Sequence, residues 1–287
     1  MTALAYTTLI DVETLQRLLG GPKLAILDCR FDLGRPQAGR TAFLAAHIPG
    51  ARFADLNADL AGPVTAHGGR HPLPPPEVFA QRLGSLNVGN DSQVVAYDAA
   101  NGSFAARAWW MLRWLGHSEV AVLEGGFQAW VAAGGAVQAG DPPAGTRHFT
   151  ARVDPAAVLS SGQVAAALTD SQYLLVDARA AERYAGALEP IDAVAGHVPG
   201  AVNHPFTGNL APDGRFLPSH ELRRRWEQRL AGHSPEKLIA MCGSGVTACH
   251  NLLSLEVAGL SGAKLYAGSW SEWIRDPNRP VQVGSEP

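Results

Sequence analysis

Four motifs occur twice along this chain, in the same order. Each set contains an apolar run ending in Asp, a His-[Ile/Val]-Pro-Gly-Ala segment, a second apolar run and a Gly-x-aromatic-x-x-Trp segment. The matched motifs begin at residues 27 and 176, 47 and 197, 94 and 238, and 125 and 268, so the offsets are 149, 150, 144 and 143 residues. Because the order is kept with small changes in spacing, we interpret the chain as two copies of one domain. A chain of 287 residues is long enough for two domains.

The composition between the copies predicts where one ends and the next begins. Residues 139–153 open with Ala-Gly-Asp-Pro-Pro-Ala-Gly-Thr, which is typical of a linker. We therefore predict an N-terminal domain over residues 1–138, a linker over 139–153 and a C-terminal domain over 154–287. Strand-like and helix-like runs alternate within each copy, as in the strand 24–27, the helix 105–115 and the strand 120–123. This alternation predicts an α/β fold class, with a mainly parallel sheet flanked by helices in each of the two tandem domains.

Side chains that could take part in chemistry lie at the predicted strand ends. Ligands of such sheets bind beyond the carboxyl ends of the strands, and Asp28, Asp98, Asp177 and Cys242 all occupy such ends. The two matched positions, Asp98 and Cys242, differ in chemistry because only the second copy carries a thiol. We therefore expect the active site in the C-terminal copy.

The segment around Cys242 favours a reactive cysteine. An apolar run over 238–241 leads into Cys242, a Gly-Ser-Gly turn and a helix predicted over 246–258, which Gly259 ends. Glycines let successive backbone N–H groups point inward, and a helix start adds positive potential. Such surroundings favour the thiolate, which is the nucleophilic form of cysteine. The alternative is a buried structural cysteine, but the complete motif favours the nucleophile.

Composition excludes several classes of partner. The net charge of −3 gives no reason to expect nucleic acid or a membrane surface as a partner. No apolar run approaches the roughly 18 residues needed to span a bilayer, and residues 1–10 lack the basic start and apolar core of a signal peptide. The three cysteines, an odd number and widely spaced, do not suggest a disulfide framework, and the sequence contains no spaced Cys/His cluster of the zinc type. We therefore expect a cytoplasmic protein without a metal.

The motif Cys-Gly-Ser-Gly-Val-Thr over 242–247, with the two His-[Ile/Val]-Pro-Gly-Ala segments, resembles the tandem-domain sulfurtransferases of the rhodanese and 3-mercaptopyruvate sulfurtransferase family. The similarity extends from about Leu24 to about Trp273. It implies two rhodanese-like domains, of which the C-terminal one is catalytic and the N-terminal one has lost its cysteine, as the Asp98 loop suggests. It also implies an active site between the domains, which the N-terminal copy helps to line.

The resemblance implies a persulfide mechanism without a cofactor, since sulfur itself is the group carried. Cys242 would take the sulfur of 3-mercaptopyruvate and/or the outer sulfur of thiosulfate, and cyanide, a small thiol or a thioredoxin-like protein would then accept it. The backbone of four loop residues would bind the donor and its negative charge: Gly243, Gly245, Val246 and Thr247. Two alternatives are a thiosulfate-preferring rhodanese and a non-catalytic sulfur carrier. A cysteine phosphatase is disfavoured, because its Cys-x5-Arg loop would need arginine at Ala248.

Further site residues follow from the same resemblance. Arg183 matches an arginine that binds the donor's anionic group, the alternative being a solvated surface arginine. Ser244 matches a serine that relays a proton near the thiol, although it is also placed to cap the next helix. His71 matches a histidine that supports the cysteine and serine. A family carboxylate falls on Asn57 here, which weakens a triad.

The remaining candidates are expected to be structural. His47 and His197, like Asp28 and Asp177, occur in both copies and so are not specific to the active one. Among the other thiols, Cys29 lies in no motif, and Cys249 is expected to face the core from the helix after Cys242. The tryptophans at 109, 110, 270 and 273 are expected to pack in the core or at a domain interface.

The donor preference is divided between two signals. The Gly-Ser-Gly turn after Cys242 resembles the mercaptopyruvate type, whereas thiosulfate-preferring relatives carry basic residues there. Mercaptopyruvate enzymes also hold the donor carboxylate with a second arginine soon after the one matched by Arg183, and residues 187–192 contain none. We expect both donors to react, with 3-mercaptopyruvate ahead by a modest factor.

Overall fold

The computed structural model describes residues 5–287 and divides them into two compact units. Unit 1 is formed by the described chain up to Gly62, by Pro74–Asp154 and by Ala211–Phe216. Unit 2 is formed by Pro63–Leu73, Pro155–Leu210 and Leu217–Pro287. The units are therefore not two continuous stretches, because each contains a short segment from the other half of the sequence. The domain limits 1–138, 139–153 and 154–287 remain our prediction for the two sequence copies.

Unit 1 contains a parallel sheet in the order β1-β5-β4-β2-β3. Its strands are β1 (Leu9–Ile10), β2 (Leu24–Asp28), β3 (Arg52–Phe53), β4 (Gln93–Tyr97) and β5 (Val120–Leu123). Its helices are α1 (Val12–Leu18), α2 (Ala38–Ala45), α3 (Pro76–Ser85), α4 (Ala105–Trp114) and α5 (Gly126–Ala132). The inner strands are apolar and buried along most of their length, as expected of a parallel sheet covered on both faces.

Unit 2 contains a parallel sheet in the order β7-β6-β8-β9. Its strands are β6 (Leu174–Asp177), β7 (Val202–Asn203), β8 (Leu238–Met241) and β9 (Lys264–Leu265). Its helices are α6 (Ser161–Ala167), α7 (Ala181–Tyr184), α8 (Ser219–Leu230), α9 (Thr247–Val257) and α10 (Ser269–Trp273). Short 3-10 turns lie at Pro155–Ala157, Phe206–Asn209 and Pro235–Lys237. A single parallel bridge between Val158 and Leu265 extends the sheet beyond β9.

The two sheets share one topology. The order β5-β4-β2-β3 in unit 1 corresponds strand for strand to β9-β8-β6-β7 in unit 2. The predicted fold class is confirmed, since each unit is a parallel sheet with helices. Asp28 and Asp177 end their strands, while Asp98 and Cys242 directly follow theirs, so the predicted strand-end positions are also confirmed.

Most of the tryptophans are packed in the cores. Trp130 belongs to the unit 1 core, and Trp270 and Trp273 belong to the unit 2 core. Trp109 is buried on α4 and donates its indole hydrogen to the Thr7 carbonyl oxygen at 2.8 Å. These rings bury large apolar areas, which stabilise each unit.

The residues repeated in both copies make the same contacts in both units. His47 bonds through Nδ1 to the Phe43 carbonyl oxygen at 2.8 Å and stacks on that ring. His197 does the same with Tyr184, at 2.9 Å. The repeated aspartates both form buried ion pairs with an arginine two residues later, Asp28 with Arg30 and Asp177 with Arg179. These contacts support the structural roles expected for all four residues.

Within residues 5–287, no helix has the length and apolar character needed to cross a membrane.

Candidate active site

Cys242 is held at the end of β8 by its own backbone. Its side chain is buried, with the residue only 2% exposed. Its N–H donates to Ser269 Oγ at 3.0 Å, and its carbonyl oxygen accepts from the Trp270 N–H at 3.0 Å. The cysteine therefore has a fixed position between the strand and the start of α10.

Ser269 is a positioning residue that the sequence analysis missed. Its φ of 54° is unusual for a residue with a side chain, and the matched residue of the first copy is Gly126, with φ 55°. The Ser269 hydroxyl both accepts from the Cys242 N–H and donates to the Tyr266 carbonyl oxygen at 2.9 Å. Strained backbone of this kind persists where the surroundings determine it. The available signal was a serine in the active copy at a position where the other copy has glycine.

The loop after Cys242 turns tightly into α9. Gly245 has φ +75°, and a Cβ at this position would collide with the Ala267 backbone, so glycine is required on both counts. The helix begins at Thr247 and ends at Val257, within one residue of the predicted limits at each end. Its N-cap is Val246 and has no side-chain capping bond. Ser244 therefore does not cap the helix, which removes the alternative role considered for it.

Ser244 instead pairs with His71. The Ser244 hydroxyl lies 2.7 Å from His71 Nδ1, and the two residues are 6% and 4% exposed. Both belong to unit 2, because Pro63–Leu73 packs in that unit. The predicted pair is thus brought together across 173 positions of sequence. Asn57 belongs to unit 1 and is exposed.

The predicted donor-binding arginine is fixed by two carboxylates. Arg183 donates through Nε and Nη2 to both oxygens of Glu189 at 2.8–3.1 Å, and through Nη2 to Asp192 at 3.0 Å. Its side chain is 16% exposed, so it is not a solvated surface arginine. Burial alone would raise the pKa of Glu189, but hydrogen bonds from Arg183 and from two backbone N–H groups hold that pKa below its usual range. Neither carboxylate was predicted from the sequence.

The arginines approach the loop beside the thiol. If Gly243 carried a Cβ, that atom would lie 3.6 Å from both Nη1 and Nη2 of Arg183 and 3.1 Å from Nη2 of Arg70. Gly243 directly follows Cys242, so positive groups border the cysteine loop. This arrangement suits chemistry in which an anionic molecule meets a sulfur nucleophile.

The matched loop of the first copy binds an anionic group of its own. The Asp98 carboxylate accepts from the backbone N–H groups of four residues, at 2.8–3.2 Å: Ala100, Gly102, Phe104 and Ala105. Burial raises the pKa of Asp98, and these hydrogen bonds oppose the rise. In unit 1, the turn after β4 therefore directs several N–H groups at the first side chain of the loop.

The other two cysteines have no comparable surroundings. Cys249 is fully buried on α9, and its thiol donates to the Gly245 carbonyl oxygen at 3.2 Å. Burial, together with the nearby charges of Asp28 and Asp98, raises the pKa of the Cys29 thiol well above its usual value. Both are free cysteines, as is Cys242. Their positions are those expected of packing residues.

Comparison with known proteins identifies the family. The rhodanese-like domain family matches the chain twice, over residues 11–133 and 160–276. The chain belongs to the rhodanese-like family. The two matched segments agree with the internal repeat, and the predicted family is confirmed.

Relatives of this rhodanese-like chain span both donor classes. A protein of Pseudomonas aeruginosa named "Probable 3-mercaptopyruvate sulfurtransferase" is 48% identical over 278 residues, covering 96% of this chain and 98% of the relative. The thiosulfate sulfurtransferase of Bos taurus is 37% identical over 261 residues, covering 88% and 86%. The crystal structure of SseA from Escherichia coli, a 3-mercaptopyruvate sulfotransferase, matches with a TM-score of 0.81 at 34% identity, covering 93% of this chain and 100% of SseA. The predicted enzyme class, a sulfurtransferase, is confirmed, and its substrates are a small-molecule sulfur donor and an acceptor.

Proposed function

We propose that Cys242 carries sulfur as a persulfide between an anionic donor and a thiophilic acceptor. The observation that carries this proposal is the convergence, around one buried cysteine loop, of a His–Ser pair and a carboxylate-bound arginine. His71 and Ser244 act in proton transfer, and Arg183 binds the anionic group of the donor. A thiolate nucleophile, a proton carrier and an anion contact are the groups that this reaction requires.

In the first half-reaction, the Cys242 thiolate attacks the outer sulfur of thiosulfate or the thiol sulfur of 3-mercaptopyruvate. With thiosulfate, the S–S bond breaks and sulfite leaves with the bonding electrons. With 3-mercaptopyruvate, the C–S bond breaks and the electrons pass to the enolate of pyruvate, which must take up a proton. The hydrogen-bonded pair of Ser244 and His71 supplies that proton. The product in each case is a persulfide on Cys242.

In the second half-reaction, an acceptor attacks the outer persulfide sulfur and releases the Cys242 thiolate. Cyanide then leaves as thiocyanate, and a thiol leaves as its persulfide. Two half-reactions of this kind predict ping-pong kinetics. Acceptors within this proposal are cyanide, small thiols and a thioredoxin-like protein, in a cytoplasmic setting.

Backbone N–H groups of the loop stabilise the thiolate and the persulfide anion. We assign this role to four residues: Gly243, Gly245, Val246 and Thr247. This assignment is supported by Asp98, whose carboxylate accepts hydrogen bonds from four backbone N–H groups in the matched loop of unit 1. A positive-φ glycine at 245 and the start of α9 at Thr247 are features that favour such an anion site.

Donor preference is the finer part of the proposal and is tested by steady-state kinetics with 3-mercaptopyruvate and thiosulfate side by side. We expect both to react, with 3-mercaptopyruvate ahead in kcat/KM by a modest factor. Arg183→Ala should impair both donors, since one charge-assisted hydrogen bond is worth about 1.5–3 kcal/mol, or roughly ten- to a hundredfold in binding. A kcat/KM for thiosulfate more than tenfold above that for 3-mercaptopyruvate would contradict the assigned preference.

A further inference from the structure

We propose that Arg70 is a second donor-binding residue, which acts with Arg183 on the anionic group of the sulfur donor. This inference rests on the proposed function above and names a contact that deepens it. Residues 187–192 contain no arginine that could share this work with Arg183. Arg70 reaches the same place from a distant part of the chain, within Pro63–Leu73 of unit 2.

One carboxylate joins the two guanidinium groups. Asp192 accepts a hydrogen bond from Arg70 Nη1 at Oδ1 and another from Arg183 Nη2 at Oδ2. The Asp192 side chain is only 4% exposed, so water competes weakly for these contacts. The shared carboxylate fixes the spacing of the two arginines and reduces their mutual repulsion. Both are thereby held in place before a donor arrives.

Both guanidinium groups also lie close to the cysteine loop. Nη2 of Arg70 and both Nη atoms of Arg183 lie 3.1–3.6 Å from the point where a side chain on Gly243 would begin. Glycine at this position leaves that space open. Nη1 of Arg183 takes no part in the bonds to Glu189 and Asp192. An anion beside Cys242 would therefore meet donor groups from both arginines.

Arg70 also carries a buried donor that lacks a partner. Among residues 5–287, no acceptor reaches its Nε, although that atom is buried. A buried N–H group without a partner is unfavourable, so a ligand that supplies an acceptor nearby gains from it. A carboxylate or a thiosulfonate group offers two or more oxygens on one atom, which matches the fork of a guanidinium group.

The backbone holds Arg70 in this position. Its N–H donates to Ser271 Oγ at 2.9 Å, and the Ser271 N–H donates to the Gly243 carbonyl oxygen at 2.9 Å. The preceding Gly69 packs so closely on the Gly268 carbonyl that a Cβ there would collide with it. The segment with Arg70 is thus fixed to the residues that frame the cysteine loop. Its side chain is 28% exposed, which leaves it accessible to a small anion.

Charge-selective alkylation of Cys242 tests this role without sulfur transfer. Iodoacetate carries a carboxylate and iodoacetamide does not, while both react with a thiolate by displacing iodide. We compare the ratio of the two rates in the wild-type protein, Arg70→Gln, Arg70→Lys and Arg223→Gln. Arg223 is a matched control because it lies on α8 of unit 2 in an exposed ion pair with Glu227. Rates at Cys242 are read by peptide mass spectrometry.

The expected result is a roughly tenfold fall in the iodoacetate-to-iodoacetamide ratio for Arg70→Gln, from the loss of one charge-assisted contact. Arg70→Lys should recover part of the ratio because it keeps the charge, and Arg223→Gln should match the wild type. In steady-state assays, Arg70→Gln should raise KM for both donors about tenfold.

The outcomes separate this inference from the proposed function. An unchanged alkylation ratio in a folded Arg70→Gln protein that still transfers sulfur would overturn the role of Arg70 alone. A fall in the ratio supports the anion contact even if the wild-type protein formed no persulfide, in which case the proposed function would fail by itself. If Arg70→Gln does not fold, Arg70→Lys provides the test. A wild-type iodoacetate-to-iodoacetamide ratio and a wild-type KM for both donors in Arg70→Lys would overturn the proposal that the Arg70 guanidinium group binds the donor.

Discussion

The buried hydrogen bond between His71 and Ser244 predicts a strongly coupled pair of substitutions. Both residues are almost fully buried and their polar atoms lie 2.7 Å apart, so removing either partner deprives the other of this contact where water replaces it poorly. Such a loss costs about 2 kcal/mol, which corresponds to roughly thirtyfold in kcat/KM for 3-mercaptopyruvate. Ser244→Ala and His71→Gln should each show this loss.

The double variant decides whether the pair acts as a unit. If the proton passes through both residues, Ser244→Ala with His71→Gln should also lose roughly thirtyfold, so that the coupling energy is about 2 kcal/mol. Independent residues would give a loss of about a thousandfold. The assay is kcat/KM for pyruvate formation, with Ser261→Ala as the control because Ser261 is an exposed serine of the same unit.

The donor supplies a second readout for this pair. Cleavage of 3-mercaptopyruvate leaves an enolate that needs a proton, whereas sulfite leaves thiosulfate without one. The three variants should therefore lose clearly more activity with 3-mercaptopyruvate than with thiosulfate. Additive losses, or equal losses with both donors, would refute the role of Ser244 and His71 in proton transfer.

Three further predictions follow from burial and from the composition of unit 2. Cys29→Ser and Cys249→Ser should keep most of the sulfurtransferase activity because both thiols are buried packing groups, and a Cys249→Ser protein as inactive as Cys242→Ser would contradict that role. A fragment that begins at Val153 should be nearly inactive in the same assay, because unit 2 then lacks Pro63–Leu73 with Arg70 and His71; full activity would show that this segment is dispensable. Burial lowers the pKa of His204 to about 4, whereas the unfolded value is about 6.5. The contribution of neutral His204 to stability is therefore fully present above about pH 6.5. As the pH falls to about 4, roughly 3 kcal/mol of folding free energy is lost. Denaturant unfolding followed by tryptophan fluorescence should show this loss in the wild type and a flatter pH profile in His204→Gln, and equal profiles would contradict it.

Local patterns explain why much of the fold and the thiol loop could be predicted. Apolar runs, turn glycines and strand-end residues are encoded within a few positions, so the strands at 24–27, 120–123 and 238–241, the helix after Cys242 and the repeat could be predicted, whereas the two-residue strands β1, β3, β7 and β9 were not. The helix limits differed by a single residue at each end, Thr247 to Val257, because the cap lies at Val246. The pairing of His71 with Ser244 was available only through the family resemblance.

Contacts between distant segments were not readable in the same way. The ion pair between Arg70 and Asp192 joins positions 122 residues apart, and neither residue lies in a motif with a known spacing. Pro63–Leu73 belongs to unit 2 because of the path that the chain takes, and composition does not predict that path. Ser269 was hidden for another reason, because its role depends on a left-handed backbone that serine seldom adopts.

The central claim is that Cys242 itself carries the transferred sulfur. Intact-protein and peptide mass spectrometry after incubation with 3-mercaptopyruvate, and separately with thiosulfate, tests it directly. We predict a gain of one sulfur atom on the peptide that contains Cys242, its disappearance on addition of cyanide, and no gain in Cys242→Ser. Sulfur transfer without that modification, or sulfur found on Cys29 or Cys249 instead, would contradict the account.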